Sequence, residues 1–149
     1  MDVSELSKYL KIKTKYKVFI EGLGWQEYKE DGKGAGTTWK SLRIEAIKIE
    51  IPFKPCKGEI TYRVEIEDFG WSNWCKEGEI AGLEGKGKKL QHIEIKLKGG
   101  FGDLYDVHYR THSFLVGWQK WVKNGETTGF SRIEMIQICI SPKFQLPEP

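Results

Sequence analysis

The sequence predicts an all-β domain of three repeats about a pseudo-threefold axis, prism-like in form, with a β-trefoil as the alternative. Three observations carry this expectation. Gly-Trp occurs three times, at Gly24-Trp25, Gly70-Trp71 and Gly117-Trp118, in steps of 46 and 47 residues. Each pair has the same surroundings: a tyrosine eight positions before the glycine (Tyr16, Tyr62, Tyr109), an aromatic three after the tryptophan (Tyr28, Trp74, Trp121), and later a basic residue opening an aliphatic run (Arg43-Ile44, Lys89-Leu90, Arg132-Ile133). From Tyr16 onward, short alternating runs are cut by glycine, which totals 17 residues. A fixed period of this length marks supersecondary units that share one core. Regular short strands between turn residues read as a sandwich, barrel or prism. At 149 residues the chain is too short for three independent cores, so the units must pack on one another.

Residues 1–15 read as an N-terminal extension, with a short helix from Ser4 to Leu10 capped by Ser4. The repeat domain covers 16–140, with repeats at 16–51, 62–97 and 109–140, and 141–149 form a tail. The first strand of a unit runs from the tyrosine: Tyr16, Val18, Ile20 and Tyr62, Val64, Ile66 alternate with polar neighbours. The second starts at the tryptophan and ends at Asp31-Gly32, Glu77-Gly78 or Asn124-Gly125, where Asp-Gly and Asn-Gly tolerate positive φ. A small Gly/Thr connection follows. The last strand is the most apolar, with Ile47, Ile49, Ile51, then Ile93, Ile95, Leu97, then Ile136, Ile138, Ile140. Pro52 to Gly58 and Gly99 to Asp106 read as linkers.

Composition excludes several functions. Lys+Arg 24 against Asp+Glu 21 gives a net charge of +3, spread along the chain, which argues against a nucleic-acid partner. The local run Lys8, Lys11, Lys13, Lys15, Lys17 reads as the solvated face of the leading segment. Cys56, Cys75 and Cys139 form no CxxC and no symmetric disulfide framework, and reduced thiols are expected. His92, His108 and His112 have no metal spacing with them, so no metal, cofactor or catalytic centre is expected. Gly32 to Thr37 lacks the spacing of a phosphate loop. Met1 to Ile12 lacks the apolar stretch of a signal peptide, and no segment is apolar enough to insert in a membrane.

The indoles of Trp25, Trp71 and Trp118 fit a shared core, because packing produces spacing with so little drift; the other reading is a stacking platform. Positions three apart in a strand point to opposite faces, which puts Tyr28, Trp74 and Trp121 outside if those indoles are inside. Beside them stand Gln26, Asn73, Gln119, Asp31 and Asn124, and aromatics flanked by amides and a carboxylate suit a polyhydroxylated ligand. With Trp39 they form the candidate ligand-binding set. The alternative is that these rings pack under the neighbouring unit. Glu45 and Glu134 share the parity of the inward isoleucines, with Gln91 in the second unit. Either a bulge resets the alternation, or the carboxylate is buried and hydrogen-bonded to backbone or indole N–H.

The third unit, through Tyr109, His112, Gly117, Trp118, Gln119, Trp121, Asn124, Gly125, Thr127, Thr128, Gly129, Arg132, Ile133 and Glu134, closely resembles the clostridial hydrophobic repeat with conserved tryptophan, the ChW repeat. The first unit matches through Tyr16, Gly24, Trp25, Gln26, Gly32, Ala35, Gly36, Thr37, Thr38, Arg43, Ile44, Glu45, Ala46 and Ile47, and the second more loosely. Trp39 stands where the family has glycine, and Phe19 and Glu65 replace its histidine. The resemblance implies a binding or adhesion module of secreted or surface proteins of Gram-positive bacteria, with no catalytic residue, and the aromatic sites at Tyr28, Trp74 and Trp121 make a glycan or wall polymer the expected ligand. The alternative is a protein-interaction or structural module. The family setting points to a secreted or surface protein, whereas the lack of a leader and the unpaired cysteines fit the cytoplasm.

Overall fold

The computed structural model describes residues 11–129 and 131–143. The helix expected over Ser4 to Leu10, and most of the tail, lie outside them. The first unit contributes β1 (Lys15–Ile20), β2 (Gly24–Trp25), β3 (Lys29–Glu30), β4 (Ala35–Gly36) and β5 (Ile44–Glu50). The second contributes β6 (Glu59–Ile66), β7 (Gly70–Trp71), β8 (Cys75–Lys76), β9 (Ile80–Gly82) and β10 (Leu90–Lys98). After α1 (Gly99–Leu104) come β11 (Tyr105–Ser113), β12 (Gly117–Trp118), β13 (Val122–Lys123) and β14 (Met135–Pro142).

Among the described residues the chain is all-β, in three antiparallel sheets, with no barrel. Each sheet is built on a hairpin of a unit's first and last long strands, β1 with β5, β6 with β10 and β11 with β14. The short Gly-Trp strands lie along the outer edge of the first strand. One face of β1 is fully buried (Tyr16, Val18, Ile20) and the other partly open, which is the alternation its sequence shows.

The Gly/Thr segments do more than connect. β4 of the first unit pairs with β14 of the third, and β9 of the second pairs with β5 of the first. In the third unit Thr128 bonds to Ile93 of β10, its N–H to the carbonyl at 3.2 Å and its hydroxyl accepting the Ile93 N–H at 3.0 Å. Each unit thus lends its short segment to the unit before it, and the first lends to the third. This exchange closes a ring and covers one edge of every last strand.

The repeated tyrosines lock the ring. Tyr16, Tyr62 and Tyr109 are fully buried, and each hydroxyl donates to a carbonyl of its own unit, of Lys33, Glu79 and Glu126 respectively. Each also accepts a backbone N–H from a neighbouring unit's last strand: Ile138 at 3.2 Å, Ile49 at 3.2 Å and Ile95 at 3.0 Å. The polar tip of a core aromatic is thereby satisfied at the joint between units. Between the sheets, Val18, Ile44, Ile47, Leu90, Ile93, Ile133 and Ile136 leave a void of about 10 Å³, at the lower limit for one water.

The core is therefore tyrosine and isoleucine, and the expectation that the Gly-Trp indoles fill it is corrected. Trp25, Trp71 and Trp118 are only half-buried. The register sets Trp25 opposite Phe19, on the open face of β1, and a one-residue slip then carries Tyr28 to that same face. Trp25 pairs with Phe19 while Lys29 pairs with Tyr16, which leaves one extra residue on the Gly-Trp side. The same slip separates Glu65↔Trp71 from Tyr62↔Cys75, and His112↔Trp118 from Tyr109↔Val122. A bulge resets the alternation, so a ring and the ring three residues later face the same side.

The linker expected from Gly99 to Asp106 instead forms α1 and the start of β11, and Phe101 is fully buried. Ile12 and Thr14, expected in the N-terminal extension, are buried, and Ile12 bridges to Ile140.

Candidate functional site

The outer face of each sheet carries an aromatic–cation cluster. A basic residue follows each repeated tyrosine, Lys17, Arg63 and Arg110, and lies between the two rings of its unit. The Arg63 guanidinium carbon is 4.6 Å from the Trp71 ring centre and 4.8 Å from that of Trp74; Arg110 is 4.4 Å from Trp118 and 4.8 Å from Trp121. Lys17 is looser, 5.2 Å from Trp25 and 5.0 Å from Tyr28. The cations are themselves held. Arg63 donates to Glu94 at 2.9 Å, and Arg110 to the Gln137 side chain at 2.7 Å. The sequence pattern assigned Lys17 to a solvated face and gave no role to Arg63 or Arg110, although their place next to each tyrosine was a usable signal.

The candidate residues fall into two groups. Tyr28, Trp74 and Trp121 belong to the clusters; Trp121 is 42% exposed, whereas Tyr28 and Trp74 are half-buried. Burial, then the hydrogen bond given to Glu50, raises the Tyr28 pKa. Lys96 covers Trp74 at 4.3 Å. The amides and the carboxylate serve the turns. Gln26 and Gln119 donate to the Gly24 and Gly117 carbonyls at 3.1 and 3.3 Å. Asp31 accepts the Thr14 N–H at 2.8 Å, and Asn124 accepts that of Val107 at 3.0 Å. Asn124 also donates to Asp106, which is the largest cause of that carboxyl's lowered pKa. Asn73 is exposed at the edge of the second cluster.

Trp39 stands apart. It is 60% exposed and belongs to the first unit, yet it lies against the third, edge-on to His112 at 4.7 Å and 6.5 Å from Phe114. Its φ is +60°, in the left-handed region that a bulky residue rarely occupies. The equivalent position in the second unit is Gly85, with φ +74°. Glu134 holds the strained loop: its carboxylate accepts the N–H of Trp39 at 2.9 Å and of Ser41 at 3.2 Å, and bonds His112 Nδ1 at 2.7 Å. Glu134 is 3% exposed and His112 2%. Glu45 plays a smaller version of this part, accepting the Gly87 N–H at 3.3 Å.

Both readings of the inward acid therefore hold together. Phe19 pairs with Ala46 and Ile20 with Ile44, which makes Glu45 the bulged residue, and Gln91 is skipped in the same way. The bulge turns the acceptor towards the neighbouring unit's loop.

His112 packs edge-on against Trp118 at 5.2 Å, and Phe19 does the same to Trp25 at 5.7 Å. Packing is what the replacement keeps; the bond to the acid is lost. The three cysteines are free. Among the described residues no group of three or more His, Cys, Asp or Glu is placed to hold a metal, and no helix is long and apolar enough to cross a membrane.

An internally repeated all-β chain with cyclically exchanged strands and outward aromatic–cation clusters is the class these features define. The family model for clostridial hydrophobic W matches residues 19–52 and 66–99, so the first two units are repeats of that kind. The third unit lies outside the matched residues, but repeats the strand pairing, the slip and the tyrosine bonds of the other two. No curated protein and no solved structure matches the chain.

Proposed function

We propose that the chain is a non-enzymatic, multivalent binding module for surface glycans or cell-wall polymers, with a prism-like arrangement of its three sheets. Repeats of this family often occur in cell-surface proteins, which supports that setting. The observation that carries the reading is the pair of tryptophans held ordered yet left open, Trp39 at 60% and Trp121 at 42% exposure. Trp121 is fixed by Arg110 and Trp39 by Glu134, so their rings offer faces to sugar C–H groups at little entropic cost. A strained backbone under an exposed aromatic is a reason to look for function there. Three related sites would raise a weak single-site affinity when one polymer spans them.

The test is a tryptophan-fluorescence titration with wall polysaccharides. A saturable change is expected, lost when Trp121→Ala and Trp39→Gly are combined. Trp39→Gly removes the ring while relieving the left-handed backbone, so folding is preserved. No saturable change with any polysaccharide sinks the glycan reading.

The second reading, a protein-interaction module, rests on the turns at one end. Leu23, Phe69 and Val116 occupy equivalent turn positions and are all at least half exposed, with Leu115 beside them. Exposed apolar residues clustered in this way mark interaction surfaces. Capture of a protein partner that is lost on Phe69→Ser would favour it.

A further inference from the structure

Three equivalent positions at one end of the molecule carry a base, and only two of those bases face an acid of their own unit. Glu21 grips Arg43 through the backbone N–H at 3.1 Å and Nε at 2.7 Å, and Arg43 Nη1 donates to the Gly87 carbonyl at 2.7 Å. Glu67 faces Lys89 at 3.9 Å. In the third unit Phe114 stands where the glutamate stands, and Arg132 has no carboxylate partner among the described residues. These six side chains and Glu134 line one open cavity of about 200 Å³. The Glu134 carboxylate is occupied by the two backbone N–H groups and His112. The Arg43 guanidinium is held by the Glu21 carboxylate and the Gly87 carbonyl. The uncompensated charge facing the cavity is the Arg132 guanidinium, with the loosely paired Lys89 ammonium opposite.

We propose that this cavity binds a compact oxyanion, a carboxylate or phosphate group, seated on Arg132 with Lys89 as second cation and Phe114 as apolar wall. A planar guanidinium fork matches the paired oxygens of either group. The cavity is smaller than the roughly 300–1,000 Å³ of drug-sized pockets, so it takes a small ion, a small acid or the charged end of a longer molecule. Repeat symmetry explains why the site exists once. Two units neutralise their own base, and the third has exchanged its acid for an aromatic ring. The outer-face clusters do not line this cavity, and Trp39 touches only its wall at Phe114 and its acid Glu134. A failure to bind phosphate or acetate would therefore leave sugar stacking on Trp121 and Trp39 standing, untested by that result.

The test is titration of the purified chain with inorganic phosphate and with acetate, against sodium chloride at equal ionic strength, followed by backbone amide shifts. A saturable response above chloride is expected. Arg132→Gln should weaken it about tenfold or more. Phe114→Glu supplies the missing third acid and should abolish it. Both variants should keep the wild-type amide pattern, since Glu21 and Glu67 already occupy the same turn and Arg132 is exposed. A response to phosphate alone assigns a phosphate ligand, to acetate alone a carboxylate, and to both the shared oxyanion chemistry. No saturable response above chloride, or wild-type affinity in either variant, overturns the proposal.

Discussion

The Tyr62 hydroxyl accepts the Ile49 backbone N–H at 3.2 Å across the boundary between the first two units, while donating to the Glu79 carbonyl. Tyr62→Phe keeps the ring and removes both partners. A buried N–H and a carbonyl then lose their bonds, at about 1–3 kcal/mol. Urea denaturation should show this loss with an unchanged slope. A loss within error would mean the joint is held by packing alone.

The burial of the three tyrosine hydroxyls should appear in the alkaline titration, with the accepted N–H groups pulling the other way. Burial, the largest cause, pushes Tyr16 and Tyr109 up to about 12, and Tyr62 higher still. The folded state therefore keeps protons that the unfolded chain releases near its ordinary pKa of about 10. This contribution is fully present below about 10 and is lost as pH rises towards 12. Absorbance titration should show these three tyrosines resisting ionisation until the fold opens. Ionisation of all tyrosines near the ordinary value in a chain still folded would contradict the arrangement.

Glu134 gathers three donors from two units, and its replacement should be graded. Glu134→Leu strands two backbone N–H groups and His112, with an expected loss of about 3 kcal/mol or more. Glu134→Gln keeps one acceptor oxygen and should cost less. Proteolysis of the 37–42 loop gives a second readout, faster in Glu134→Leu than in Glu134→Gln. Equal stability of the two variants would show that the carboxylate does not order the loop.

The cyclic exchange depends on Gly36 and Gly82. Their φ values are +121° and +110°, and a Cβ would lie 2.2 Å from the Glu134 carbonyl oxygen and 2.3 Å from that of Glu45. Gly82→Ala combines backbone strain with a backbone clash and should cost about 3 kcal/mol. Gly85→Ala is the control. Its φ is +74° and its nearest neighbour is the Phe19 ring at 4.0 Å, so only about 1–2 kcal/mol is expected. Chemical denaturation of the pair should separate these values. Equal losses would mean that close pairing at Gly82 is not required.

Much of the fold was legible along the chain. The period, the alternation of Tyr16, Val18 and Ile20, and the Asp31-Gly32 and Asn124-Gly125 turns all reappear as strands and positive-φ turns. The parity of Glu45 correctly announced an acid on the inner side. The parity between each Gly-Trp ring and the ring three residues later misled, because one extra residue between Trp25 and Lys29 reverses the face and no residue type marks it. Tyr28, Trp74 and Trp121 did emerge on the outer face, but beside the Gly-Trp rings rather than opposite them.

What the sequence determined by itself is local: the repeat unit, its strands and turns, and the residue classes that face inward. These follow from side-chain alternation and from backbone angles that only some residues tolerate. The tertiary structure decided which unit each Gly/Thr segment joins, which strand each tyrosine hydroxyl reaches, and that Arg132, without a carboxylate partner among the described residues, lines a cavity. Three nearly equivalent units offer the same partners locally. Only closure of the ring, which leaves no donor on Ile49, Ile95 or Ile138 unmatched, selects among them.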